Sequence, residues 1–423
     1  MAGTIRSRFL LPLALLIAAV ANPVTAASAA PYKALYSVCS PSPCANPQPL
    51  DAVADASGTV YGVTHYGGEE GVGTLFALVP NARKTKWKYK LVQSFCQGDG
   101  CDGSFPNGGL IVDVAGNVYG TTMLGGAHGQ GIFYRFSRKG GKWVQTRLYD
   151  FCAAPQCADV SPAIRMTYAG AASGAPYDGV SPLYGVFSRT PNNIRGAAAF
   201  SLTPQGDGKP WAWKKLHDFC RTKNCPNGAE PVSIMADASG NLFGATSDGG
   251  TGNAGTVFAL SPSGGKWSET ILHSFCASCT NDGAQPMGQI AVDGAGNVYG
   301  ATMLGGANGQ GMIFKLATGD GTETDLYDFC PGGDCTVSGA TPTAGVVLGG
   351  DGTVYGATAL SGPNHNGALF ALNPQFGVVH AFASSRGDGA LPISLSVDGQ
   401  GNLSGVTSDG GSTGLGAVFG YFP

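Results

Sequence analysis

A stretch of the form Val/Leu-Tyr/Phe-Gly-x-Thr returns along the chain at Tyr61-Gly62, Tyr119-Gly120, Phe243-Gly244, Tyr299-Gly300 and Tyr355-Gly356, with weaker copies at Tyr184-Gly185 and Ser404-Gly405. Successive glycines stand 58, 65, 59, 56, 56 and 49 residues apart. Nothing else restricts the fold as strongly, because a period of this length with room for short strands is the signature of propeller blades. Seven copies predict an all-β fold, a seven-bladed β-propeller of four-stranded blades.

The fifth copy shows how the strands divide. Gly288 to Asp293, Asn297 to Thr302, Met312 to Leu316 and Thr324 to Phe329 each read as one strand. Asp293-Gly-Ala-Gly296-Asn297 makes the first turn, with relatives at Asp113, Asp237 and Asp398, and Asp and Gly suit tight hairpin geometry. A structural turn is the favoured reading there over a cation site. Glycine at 68 positions and only 12% charged residues favour turns over long helices, so helix is expected to be nearly absent. The segment Tyr32 to Val38 matches the fourth strand but precedes every other strand, while the last copy stops after its third strand at Phe419 to Phe422. The N-terminal strand is therefore expected to complete the last blade and remove its open edge.

Ahead of that strand, Arg6, Arg8 and the apolar run Phe9 to Val20 read as a secretory signal, too short to span a bilayer. Residues 1–29 are expected to be removed and 30–423 to form a single propeller domain. Setting aside the two signal arginines leaves 22 basic against 27 acidic side chains, a net charge of −5 that does not suit a nucleic-acid partner. No membrane span and no C-terminal anchor are expected, and the product is expected to be a secreted monomer, extracellular or periplasmic.

Twelve cysteines fall into local pairs after the fourth strands: Cys39/Cys44, Cys96/Cys101, Cys152/Cys157, Cys220/Cys225, Cys276/Cys279 and Cys330/Cys335. An even count behind a secretory signal predicts six disulfides. Zinc held by these thiols is not expected, since no Cys-x-x-His pattern recurs, and neither metal nor cofactor is anticipated. Cys276-Ala-Ser-Cys279 has redox-motif spacing but occupies the structural slot of the other pairs.

Two regions are candidate sites. On the innermost strands, one position per copy faces the central channel: Asp51, Gly109, Arg165, Ser233, Gln289, Gly345 and Ser394. Only Asp51 and Arg165 carry charge, which gives neither the paired carboxylates of a glycosidase nor a nucleophilic triad. No catalytic residue is assigned. On the loop face, six glycine-rich loops of nine residues join the second and third strands, at His65 to Gly73, Met123 to Gly131, Ser247 to Gly255, Met303 to Gly311, Ala359 to Gly367 and Ser408 to Gly416. Their uniform length predicts one repeated backbone conformation. Asp248, Asn253, Asn308, Asn364, Asn366 and Asp409 could offer hydrogen bonds to a polar ligand, although rigid hairpin packing is the favoured reading. Packing is likewise favoured for Trp87, Trp143, Trp211 and Trp267, each eight residues before the phenylalanine ending a fourth strand. The third copy carries an insert near Tyr168 to Asp178, and Arg386-Gly387-Asp388 is read as a chance adhesion tripeptide.

The units GNVYGTTMLGGAHGQGIFYRF and GNVYGATMLGGANGQGMIFKL, each followed by LYDF, resemble the bacterial GloVer tandem repeats named for Gloeobacter and Verrucomicrobia, over nearly the whole mature chain. His380-Ala381-Phe382 is also similar to extracellular repeats named for that tripeptide. The resemblance implies an exported repeat protein and supplies no catalytic residues. The expected function is a non-enzymatic binding or interaction module for an unidentified glycan or protein ligand at the loop face or channel mouth. The alternatives are a propeller-type lyase or hydrolase and a structural surface or matrix protein.

Overall fold

The computed structural model describes residues 32–39, 48–96, 102–154, 165–187, 197–206, 208–220, 222, 224–279, 281–319, 321–384 and 387–423. The signal-peptide reading, Cys44, Cys101, Cys157 and Arg386 lie outside them.

Seven antiparallel sheets form a ring, and each runs from an inner to an outer strand. Blade 1 comprises Pro49–Ala54, Val60–Thr64, Thr74–Pro80 and Trp87–Ser94. Blade 5, from which the strand pattern was deduced, comprises Gly283–Val292, Val298–Gly305, Met312–Leu316 and Glu323–Asp328. Blade 2 departs slightly, because its inner edge is divided into Ser104–Pro106 and Ile111–Val112. Helix among the described residues comes down to two single turns, Ala171–Ser173 and Pro331–Gly333.

The recurrent glycine has a packing cause. In every blade it lies opposite an aromatic residue of the third strand, as Gly62 does to Phe76, Gly185 to Phe200, Gly300 to Phe314 and Gly405 to Phe419. At Gly300 an added Cβ would run into the Phe314 ring, so only a residue without a side chain lets the ring lie flat over the second strand. These rings point into seven apolar cores, each shared by two neighbouring blades. Phe314 meets Met235, Val257 and Phe275 of blade 4, whereas Phe76 meets Val406 and Val418 of blade 7. A single blade thus buries little, and only the closed ring removes both faces of each sheet from water.

Closure follows the predicted route. Tyr32–Ser37 pairs antiparallel with Ala417–Tyr421, setting Tyr32 against Tyr421 and Ser37 against Ala417. Asp388 anchors this strand. It accepts a hydrogen bond from the Tyr32 hydroxyl (2.6 Å), faces His380 Nε2 (3.1 Å) and accepts the Ala383 amide (3.0 Å). Tyr32 also stacks on the His380 ring with centroids 3.4 Å apart. Burial pushes the Asp388 carboxyl up, but the hydrogen bonds from His380 and Tyr32 outweigh it and leave the group below the usual carboxylate range. A carboxylate depressed in the folded state contributes stability that is complete above its unfolded pKa of about 3.9 and is lost as pH falls through its folded value. Asp388→Asn is therefore expected to cost about 2 kcal/mol at pH 7 and much less at pH 3, as read from urea midpoints; an equal cost at both pH values would refute this role.

Cys220–Cys225, Cys276–Cys279 and Cys330–Cys335 are disulfides. Cys39, Cys96 and Cys152 are disulfide-bonded as well.

Candidate functional site

The inner edges of the blades bring five of the seven predicted axial positions into contact, Asp51 with Gly109 and Arg165 with Gln289 and Gly345. Gln289 and Gly345 form a parallel bridge between blades 5 and 6, and Arg165 Nη1 of blade 3 donates to Gln289 Oε1 at 3.2 Å. Asp51, Ser233 and Ser394 are 8%, 0% and 2% exposed, so these polar side chains are buried at the inner edges of their blades. The Asp51 carboxylate is engaged by backbone: Oδ1 accepts the Ala52 amide (3.0 Å), and Oδ2 accepts those of Gly109 (2.8 Å) and Leu110 (3.1 Å). Burial draws the Arg165 guanidinium down, with the Asp51 charge opposing. These contacts fasten blade 1 to blade 2 and link blade 3 to blade 5.

The insert of blade 3 covers one end of this axis. The Gly170 amide donates to Asp237 O in the first turn of blade 4 (3.1 Å). Ala171 and Ala172 rest on the core between blades 4 and 5. Tyr177, fully buried, bridges Asp113 of blade 2 and packs edge-on to Tyr119. A Cβ built at Gly399 of blade 7 would stand 3.3 Å from the Gly174 carbonyl oxygen. Contacts to first-turn segments on opposite sides of the ring mean that the insert crosses the channel mouth as a plug. Its composition, mostly Gly, Ala and Ser between two tyrosines, contained the only sequence trace of that role.

The turn aspartates have their oxygens occupied. Asp293 accepts the amides of Ala295 and Asn297, the Asn297 side chain (2.8 Å) and the Tyr299 hydroxyl (3.1 Å). Burial raises its carboxyl, yet these donors hold it below its ordinary value.

At the opposite face the nine-residue loops share one conformation. The last glycine donates its amide to the residue six positions earlier in all six, as Gly73 does to Gly67 and Gly416 to Gly410. Their polar candidates hydrogen-bond to backbone of the loops or of the adjoining fourth-strand ends. Asp248 and Asp409 accept the amides of Gly249 and Gly410 (both 2.7 Å). Asn308 donates to Phe329 O, Asn364 to Ala381 O and Asn366 to Asn364 O. Asn253 takes a left-handed backbone conformation at the loop end, with φ of 53°. Beside exposed polar residues such as Glu69, His128, Gln310 and His365, four loops present an apolar side chain to solvent: Tyr66, Leu124, Leu304 and Leu360, all at the second loop position, are 41–50% exposed, and Met123 beside Leu124 is 43% exposed. Blades 4 and 7 carry Asp248 and Asp409 at that position. Tyr66 lies edge-on to Phe105 of the next blade, in an aromatic cluster with His65. The sequence reading missed these residues because it searched the loops for hydrogen-bonding groups.

The tryptophans sit between blades. Trp143 meets Tyr61, Trp211 meets Tyr119, Trp267 meets Tyr184, and Trp87 stacks on Phe422. Such placement serves packing.

The sequence matches the Gloeobacter/Verrucomicrobia repeat over residues 171–419. No curated protein is similar to it in sequence. Among solved structures, an extracellular domain from B. thetaiotaomicron assigned to a one-component system aligns at a TM-score of 0.52 and 10% identity. That alignment covers 92% of this chain and 39% of the other, so this chain spans about two-fifths of its length. A chain from a nidogen/laminin complex aligns at a TM-score of 0.41 and 14% identity, covering 71% and 86% of the two. Identities this low speak for the fold alone.

Proposed function

We propose that this chain, which belongs to the Gloeobacter/Verrucomicrobia repeat family, is an exported, non-enzymatic binding module that takes a protein or peptide partner on its loop face. One observation carries the reading. Large apolar side chains stand exposed at the same loop position in blades 1, 2, 5 and 6. Single exposed apolar residues are ordinary on any surface, but recurrence on one face of a repeat protein marks a contact surface. The insert across the channel mouth supports the same choice over a channel enzyme. A glycan ligand has less support, because Asn308, Asn364 and Asn366 each donate to a backbone carbonyl and Asp248 and Asp409 each accept a backbone amide at one oxygen.

The test is a pair of arrays, one of peptides and one of glycans, probed with the oxidised protein. Leu124→Ser, Leu304→Ser and Leu360→Ser, combined in one variant, should leave stability within about 1.5 kcal/mol, since exposed substitutions cost little each. Peptide capture is expected to weaken at least tenfold in that variant and to persist in Arg165→Gln. Capture lost only in Arg165→Gln would move the site to the axis, and capture confined to the glycan array would replace the protein partner by a carbohydrate.

A further inference from the structure

At three junctions between blades, an imidazole on one outer strand meets a side chain of the following connection and a side chain of the next outer strand. Between blades 3 and 4, His217 Nε2 lies 3.1 Å from Asn227 Nδ2 and 3.2 Å from Glu269 Oε1. Between blades 6 and 7, the corresponding set is His380, Asp388 and Tyr32, in which the Tyr32 hydroxyl donates to the carboxylate. Between blades 4 and 5, His273 Nε2 lies 3.2 Å from Asp282 Oδ1 and 3.3 Å from Glu323 Oε2. The slot is the same in all three. Asn227 Oδ1, Asp388 Oδ2 and Asp282 Oδ2 each accept a backbone amide at the end of the outer strand or just past it, from Cys220, Ala383 and Cys276 respectively.

Only the 4–5 junction surrounds one imidazole nitrogen with two carboxylates and no second donor. A single Nε2–H cannot satisfy both acids fully. Glu323 Oε1 is buried with no hydrogen-bond partner among the described residues.

From these residues we infer a divalent-cation site, suited to zinc, formed by His273 Nε2, Asp282 Oδ1 and Glu323 Oε2. Nitrogen and oxygen ligands bound to tetrahedral zinc at about 2.0–2.1 Å stand about 3.3 Å from one another. Two of the three edges already have that length, and all three atoms lie within 4.8 Å of one another, so closing the carboxylate edge completes the triangle. A dication there also neutralises the excess negative charge that the imidazole leaves. One imidazole with two carboxylates selects zinc over calcium or magnesium, which take oxygen ligands alone. The side chains are 15–21% exposed, which gives a metal access and leaves the fourth position to water. The Cys276–Cys279 disulfide lies in the connection that carries Asp282, restraining one ligand relative to the His273 strand. Zinc bound there ties the outer strands of blades 4 and 5 together.

The experiment loads the chelator-treated, oxidised protein with zinc, removes the excess by gel filtration and counts the metal retained. Cobalt substituted for zinc supplies an absorption spectrum of the site. One ion per chain is expected for the native protein and for His217→Ala, a control at the 3–4 junction. His273→Ala and Glu323→Gln should each weaken binding beyond the 10–100-fold that loss of an outer-sphere partner costs, and should abolish the cobalt bands while their metal-free melting transitions stay cooperative. Asp282 is left in place because it also holds the Cys276 amide. The inference is overturned if the native protein retains no zinc, or if His273→Ala retains as much as the native chain.

Discussion

Replacing Gly300 by alanine is expected to destabilise the protein by about 1–3 kcal/mol, the range found when a methyl group is forced into a filled core. The sign is informative. Glycine inside a strand is ordinarily unfavourable, and alanine should help by reducing the freedom of the unfolded chain. Here the new Cβ meets the Phe314 ring, and that ring is 0% exposed and cannot swing away. Phe314→Ala alone should cost about 3–5 kcal/mol through lost burial and the cavity it leaves. In the double variant, the alanine at position 300 projects into that cavity, and its cost should fall to a few tenths. Urea unfolding of the four proteins in a double-mutant cycle measures the coupling directly. Strictly additive costs, or a stabilised single variant, would show that the repeated glycine serves some purpose other than room for the ring.

A chain that begins at Cys39 is expected to lose most of its stability and to associate through blade 7. It lacks Tyr32–Ser37, and with it the buried Leu35, the Tyr32–His380 stack and the Tyr36–Tyr89 stack. At about 1.5–3 kcal/mol for each large side chain withdrawn from water, the loss is on the order of 5 kcal/mol, comparable with the whole stability of many domains. The Ala417–Tyr421 strand would then present its unpaired amides and carbonyls to other molecules. Light scattering and thermal melts check both effects, and a synthetic peptide spanning residues 30–38 should restore the monomer. A truncated protein that stays monomeric and melts at the native temperature would show that the ring does not depend on this closure.

Most of the architecture could be deduced before any coordinates. The spacing of Gly62 through Gly405, the strand pattern of blade 5, the displaced fourth strand at Tyr32 and the cysteine pairs after the outer strands all recur, and all describe contacts within one repeat or between consecutive segments. Alternation of apolar and polar residues records which side of a strand is buried, and turn residues record where the chain reverses. The sites were harder to read for the same reason. Asp248 and Asn308 are chemically able to bind a ligand, but hydrogen bonds to the backbone, within the loop for Asp248 and to Phe329 beyond it for Asn308, decide whether they are free.

The sequence by itself determined the blade count, the order of the strands and the route of closure, because each depends on hydrogen bonds and burial repeated along the chain. Only the tertiary structure decided that the insert after Tyr168 plugs the axis, that Asp51 is engaged by the amides of blade 2, and that His273, Asp282 and Glu323 converge between two blades. Those contacts depend on the angle at which one rigid sheet packs against the next. That angle is set by the summed fit of seven apolar cores, and no local periodicity records it.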